Sequence, residues 1–159
     1  MTQPAHPMRR KDRELDEAEA YAILAKAGDG VLATWGADGY PYAVPLNHTF
    51  TDGVLYLHSA TAGHKIENLE HCDKVSYCVV TGHEVLPAEL STQYESAIVF
   101  GRAVLVEEPE EKRRGLMALV HRFAPEHLEF GRAELEREYD HTALIRIDIH
   151  RITGKARPE

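Results

Sequence analysis

The sequence is poor in cysteine, has a single tryptophan, carries no excess of basic charge and contains no long apolar run. Each shortage excludes a class of protein. Two cysteines, Cys72 and Cys78, cannot build the disulfide framework of a small secreted domain and read as buried thiols in a reducing compartment. The 18 Lys and Arg against 26 Asp and Glu leave a net charge of -8, which argues against a nucleic-acid partner but leaves room for a local anion pocket. No stretch approaches the roughly 20 apolar residues that span a bilayer. The opening MTQPAHPMRRKDRELDEAEA lacks the hydrophobic region of a signal peptide, so the expected location is the cytoplasm, with no membrane partner. There is no GxGxxG for a nicotinamide dinucleotide, no GxSxG nucleophile turn, and no CxxC or HExxH. Ten histidines invite a metal reading. The nearest set, His64, His71 and Cys72 with His58, Cys78 and His83, has poor ligand spacing, and no metal site is assigned.

What is present is the composition of an ordinary globular chain: 159 residues, 43% hydrophobic and 28% charged. That predicts one domain over 1–159 with a real core. Residues 1–13, polar and basic, read as an N-terminal arm. Asp16 and Glu19 form a capping-box pattern ahead of an apolar face from Ala18 to Ala25, which predicts a first helix ending before Gly28. Strands are predicted at Gly30–Trp35, Tyr40–Phe50 and Val54–His58, separated by GADG and TDG turn sequences. HKIENLEH reads as two helical turns. Further strands follow at Lys74–Val80 and Tyr94–Val106, with Val79–Pro87 left as an edge loop. Pro109 opens a helix whose stripe is Leu116, Leu119, Val120 and Phe123. A charged helix follows over about 125–139. Ile145, Ile147 and Ile149 then alternate with polar residues in a final strand. The fold class is mainly β (α+β): a six-stranded antiparallel split β-barrel with peripheral helices, since nothing shows a βαβ rhythm.

Two segments carry candidate chemistry. In LYLHSATAGHKIENL a strand delivers His58 and Ser59 to its end, a loop of small residues turns, and Lys65 stands at a helix start. Free main-chain N–H groups and the positive end of the helix dipole suit a phosphate there, with Ser59 and Lys65 adding a hydroxyl and a charge. On the residues alone an ordinary solvated loop accounts for it equally well. In YPYAVPLNHTF, Pro41 and Pro45 interrupt a strand-like run, which predicts an edge or a bulge whose free main chain can face a planar heterocycle.

The ordered set MRRKDRE, GYPYAVPLNHTF, LYLHSATAGHKIENL, KVSYCVV and YESAIVFGRAVLVEEPEEKRRGL resembles the pyridoxamine 5'-phosphate oxidase-like superfamily of FMN-binding split barrels, and within it the nitroimidazole-resistance (Nim-like) branch. The resemblance covers nearly the whole chain. It implies a homodimer with FMN in a groove between subunits, FAD being the other flavin left open. It places Val44, Pro45, Leu46 and Asn47 at the ring or ribityl chain, and Ser59, Gly63, His64 and Lys65 around the phosphate. Tyr94 and Ser96 would be the partner subunit's contribution. His58 would lie beside flavin and substrate as the catalytic residue. Family members commonly carry Arg-Lys where this chain has His64-Lys65, so one bidentate phosphate donor is replaced by a titratable ring. The C-terminal tryptophan and arginine pattern of true pyridoxamine phosphate oxidases is not recognisable in RIDIHRITGKARPE, which argues against vitamin B6 oxidation. The function so implied is an FMN-dependent oxidoreductase reducing a small molecule such as a nitroaromatic or quinone. The alternative is a non-enzymatic flavin carrier or sensor, or a haem-binding split barrel.

Overall fold

The computed structural model describes residues 5–157. After a 3₁₀ turn at Lys11–Arg13, the elements are β1 (Glu14–Leu15), α1 (Glu17–Lys26), β2 (Asp29–Trp35), β3 (Pro41–Thr51), β4 (Val54–Ala60), α2 (His64–His71), β5 (Lys74–Leu86), β6 (Ser91–Leu105), α3 (Pro109–Phe123), α4 (Leu128–Glu138) and β7 (Thr142–Arg157). Six long antiparallel strands run in the order β7-β4-β3-β2-β5-β6, and β6 pairs back onto β7 to close the ring. The split-barrel expectation holds. The structure adds a seventh strand, the two-residue β1, which lies along the far end of β7 (Glu14 opposite Lys155) and ties down the end of the predicted arm. Residues 1–4 of that arm lie outside the described residues.

Local chemistry sets most boundaries. Asp16 accepts the Glu19 N–H at 2.8 Å and the Glu19 carboxylate accepts the Asp16 N–H at 2.9 Å, so the capping box forms. Thr51 pairs directly with Val54, and the two-residue turn between them has Asp52 at φ 51° and Gly53 at φ 78°. Both left-handed residues match the twist of the flanking strands, which is why an Asp-Gly pair sits there. Two expectations are corrected. Val79–Pro87 is not an edge loop: β5 continues to Leu86 against β6, with its register shifted between Thr81 and Glu84, because hairpin pairing with Ser91–Glu95 satisfies its main chain. Nor is β3 bulged at its prolines; it stays in register with β2 from Asn47 opposite Asp29 to Pro41 opposite Trp35.

Two apolar clusters result. Inside the ring, Leu32, Leu55, Leu57, Tyr77, Val79, Val99, Ile145 and Ile147 are fully buried, with α1 contributing Ala20, Ile23 and Leu24. A second cluster, Tyr56, Leu116, Leu119, Leu135 and Leu144, joins α3 and α4 to the outer face of β4 and β7. α3 is anchored there by polar contacts. Arg146 donates to Glu111 at 2.8 and 3.0 Å and to Asp148 at 2.8 Å, and the Tyr56 hydroxyl donates to Glu111 at 3.0 Å.

One buried polar network lies behind β3. His48 is 1% exposed; its Nε2 is 2.9 Å from the Leu24 carbonyl, so it carries the proton and donates, and its Nδ1 is 2.9 Å from the Tyr77 hydroxyl. The single phenolic proton is shared between that nitrogen and the Leu46 carbonyl at 2.7 Å. Desolvation lowers the His48 pKa, and the Leu24 carbonyl pulls the other way. The unfolded chain therefore binds this proton more readily than the folded one. Stability is expected to fall as pH drops below about 6.5, by up to about 1.4 kcal/mol per pH unit for this one group. Denaturant unfolding at a series of pH values checks it: His48→Gln should flatten the slope, and an unchanged slope would assign it to another group.

Candidate functional site

β3 and β4 are paired only from His48–Leu57 to Thr51–Val54. Beyond that point they diverge. β3 continues along β2 as far as Pro41, and β4 continues along β7 as far as Ala60 opposite Thr142. The barrel is thus split into a wedge with Asn47 and His58 at its apex. The His48 N–H donates to Gly28 at 3.1 Å, on the β2 side, so strand alternation turns the main-chain groups of Ala43, Pro45 and Asn47 toward the open wedge. The missing N–H of Pro45 falls on that open side and costs no ladder bond. Val44 and Leu46 point their side chains into the barrel core, so they can meet a ligand in the wedge only through the strand itself.

The other wall is the β4–α2 connection. Ser59, at the end of β4, donates its hydroxyl to the Ala60 carbonyl at 2.7 Å, a local bond it can exchange for a ligand. Gly63 caps α2 at φ 124°, a left-handed geometry that favours glycine, and a Cβ there would meet nothing within 4 Å. No side chain caps this helix. The Ile66 and Glu67 N–H groups bond to the Gly63 carbonyl, while among the described residues those of His64 and Lys65 have no acceptor. Lys65 is half-buried and His64 exposed. The His64 ring lies 4.0 Å from that of Tyr42 on β3, closing the wide end of the wedge. Tyr42 was not singled out in the sequence, where it read as one more residue of an apolar strand.

His58 faces the opposite way from Ser59. Along β4, Leu55 and Leu57 enter the core while Tyr56 and His58 lie on the outer face beneath α3 and α4. There a cleft of about 470 Å³ opens between the two helices and the strands, with Asn47 and His58 at its inner end, Leu116, Leu119 and Leu135 along it, and Phe123 and Phe130 at its lip. Part of the His58 ring reaches solvent, yet desolvation by these walls lowers its pKa, so the ring is neutral at pH 7. The cleft was not legible in the sequence. Docking of helices from far along the chain forms it, and Phe123 and Phe130 are left 45% and 68% exposed at its lip.

Tyr94 and Ser96 stand elsewhere. They pair with Arg157 and Lys155 at the far end of β7, whereas Ser59 pairs with Ala143 near its start, so a single chain does not bring them to the wedge. The Ser96 hydroxyl donates to the Lys155 carbonyl at 3.4 Å. Burial works to raise the Tyr94 pKa, and the neighbouring Lys155 and Arg13 outweigh it and lower it.

The split antiparallel barrel thus carries, on the segment that borders its open seam, an uncapped helix start, a hydroxyl and a lysine, a donor set of the kind that suits an anion. A family model described as pyridoxamine 5'-phosphate oxidase matches residues 16–156, and the chain belongs to that family. No curated protein matches the sequence. Among solved structures, a 5-nitroimidazole antibiotic-resistance candidate from Bacteroides thetaiotaomicron is 24% identical, with 89% of this chain and 85% of that one covered at TM-score 0.72. A FAD-binding protein from Mesorhizobium loti is 23% identical over 92% and 98% at TM-score 0.66. The FAD and haem binding protein from Mycobacterium smegmatis is 22% identical over 92% and 74% at TM-score 0.77. These likenesses establish the shared fold.

Proposed function

We propose that this chain is a flavin-dependent oxidoreductase that binds FMN along the open seam and reduces a small acceptor such as a nitroaromatic or a quinone. The observation that carries it is the divergence of β3 and β4 beyond His48 and Leu57, which leaves a strand edge on one side and a phosphate-ready helix start on the other. The donor set suits a flavin phosphate: the free N–H groups of His64 and Lys65, the Lys65 ammonium and the Ser59 hydroxyl. The edge of Ala43–Asn47 offers main-chain groups to a heterocycle. Relatives in fold described as binding FAD support the flavin class.

When bound, the flavin supplies the redox chemistry. The chain's own residues bind, orient and shield it. Ser59, His64 and Lys65 hold the phosphate, and Pro45 and Asn47 border the ring. Neutral His58, at the apex between seam and cleft, hydrogen-bonds a substrate placed beside the ring and is the group positioned to exchange a proton with it.

A second copy of the chain completes the site in this reading. The outward residues of β2, β5 and β6 include Val31, Trp35, Val80 and Ile98, all at least 36% exposed, and Pro45, Val31, Cys78 and Ile98 lie in one row across four strands. An apolar sheet face of this kind is suited to burial against its own copy. Such a homodimer lets Tyr94 and Ser96 of one subunit reach the seam of the other, and the whole chain then acts as one flavin-binding domain. A haem in the cleft would need cations for its propionates, and no Lys or Arg lines that cleft.

Titration of the purified protein with FMN, followed by quenching of flavin fluorescence, tests the proposal. Saturation at one flavin per chain, with light scattering reporting twice the chain mass, is expected. Folded protein that leaves FMN fluorescence unchanged would remove the flavin reading.

A further inference from the structure

The cleft beneath α3 and α4 has a composition that the flavin seam does not explain. Its length is lined by leucine side chains and its lip by two exposed phenylalanines, while its inner end presents Asn47 and His58. Asn47 uses one amide hydrogen in a long 3.5 Å contact to the Gly28 carbonyl, which leaves its own carbonyl oxygen and second hydrogen free. No hydrogen-bond partner of the His58 ring is found among the described residues. The helices that form the cleft cannot slide together, because their crossing is already at contact: a Cβ on Gly131 would lie 2.3 Å from a Val120 methyl carbon.

The charged side chains that line the cleft are of one sign. Glu134 and Glu138 line its mouth, and no Lys or Arg does. Arg137 holds both carboxylates, at 2.6 and 3.2 Å, without lining the cleft itself. Arg122 on α3 donates to the Lys26 and Ala27 carbonyls at 3.0 and 3.4 Å, with its guanidinium 5.8 Å from the centre of the Phe123 ring, and does not line the cleft. The remaining ring nitrogens in the lining belong to His127 and to His58 at the inner end.

We propose that this cleft is the acceptor subsite and that it selects flat, largely apolar molecules carrying no negative charge, seated with a hydrogen-bonding end at His58 and Asn47. This rests on the flavin reading for the word acceptor, though not for binding. An anion placed there loses hydration and finds no Lys or Arg in the lining to pair with, since Arg137 is already engaged by Glu134 and Glu138, which is discrimination by an unpaired charge. A neutral ring loses nothing comparable and covers the leucines and phenylalanines. The nicotinamide dinucleotides, which carry a diphosphate, are excluded from the cleft on the same ground, so a reductant of that class and the acceptor do not share it.

The test compares menadione with a naphthoquinone sulfonate of the same ring size, by equilibrium dialysis against the full-length protein, with and without saturating FMN. Menadione is expected to bind about tenfold or more tightly than the sulfonate. Phe130→Arg, at an exposed lip position that the fold does not need, should narrow or reverse that ratio by supplying the missing cation, and Glu138→Gln should narrow it less. Equal affinities in the parent protein, or a ratio untouched by Phe130→Arg, would overturn the proposal. Protein that binds menadione selectively but takes up no FMN keeps the cleft and loses the flavin reading. Protein that binds FMN and discriminates against neither quinone does the reverse.

Discussion

Lys65→Ala is expected to weaken FMN binding by roughly tenfold to a hundredfold, the equivalent of about 1–3 kcal/mol for one charge-assisted contact to a phosphate. The effect is large because of where Lys65 stands. It is the second residue of an α2 that no side chain caps and is half-buried, so it stands in the same turn as the free N–H groups and the positive end of the helix dipole. The substitution removes the ammonium and keeps those N–H groups, so binding should be weakened and not abolished. Lys65→Arg should retain most of the affinity and, by offering a bidentate fork, can exceed the parent. Fluorescence titration measures all three proteins. Identical affinities in parent and alanine variant would take Lys65 out of the site.

His58→Phe is expected to lower the turnover of a neutral quinone or nitroaromatic by about a hundredfold or more, the scale of a lost proton-transfer group. Flavin affinity should change far less, because the His58 side chain lies on the cleft side of β4, apart from the proposed phosphate contacts of Ser59 and Lys65. The pH dependence separates this from a packing defect. Burial lowers the His58 pKa below its usual 6.5. If the imidazolium is the proton donor, activity rises as pH falls toward that lowered pKa and is lost as pH rises through it. The break should vanish in His58→Gln. A variant that loses activity yet keeps the parent's pH profile would make His58 a residue of fit alone.

Much of this architecture was legible in the sequence where short-range chemistry decides. Asp16 and Glu19 are three residues apart and cap α1; Asp52-Gly53 supplies two left-handed residues and makes the hairpin; Ile145, Ile147 and Ile149 alternate and face the core side of β7. What the sequence concealed depends mostly on how strands pair. Val79–Pro87 read as an edge loop, but it is one arm of the β5–β6 hairpin, paired through Leu86 opposite Ser91. Pro41 and Pro45 pointed correctly to an edge and wrongly to a bulge, because strand alternation places the Pro45 nitrogen on the side where no ladder exists. The return of β6 onto β7, which closes the ring, has no local signature at all.

The candidate site divides along the same line. Ser59, Gly63, His64 and Lys65 could be grouped from one short segment; the structure puts Gly63, His64 and Lys65 at the start of α2 and Ser59 near the end of β4. That His58 faces away from Ser59, into a cleft completed by Phe123 and Phe130, follows from strand alternation plus the docking of helices far along the chain. Tyr42 against His64 is likewise a contact between β3 and α2 that only the split barrel creates. Tyr94 and Ser96 remain at the other end of β7 from the seam, so their part in binding depends on the second copy proposed above.

The visible absorption spectrum of the protein as purified, with the mass of whatever it releases on denaturation, tests the central claim most directly. The account predicts the two-banded spectrum of an oxidised flavin and release of FMN, with both weakened in Lys65→Ala. A Soret band, or a colourless folded protein that takes up no flavin when it is supplied, would contradict it.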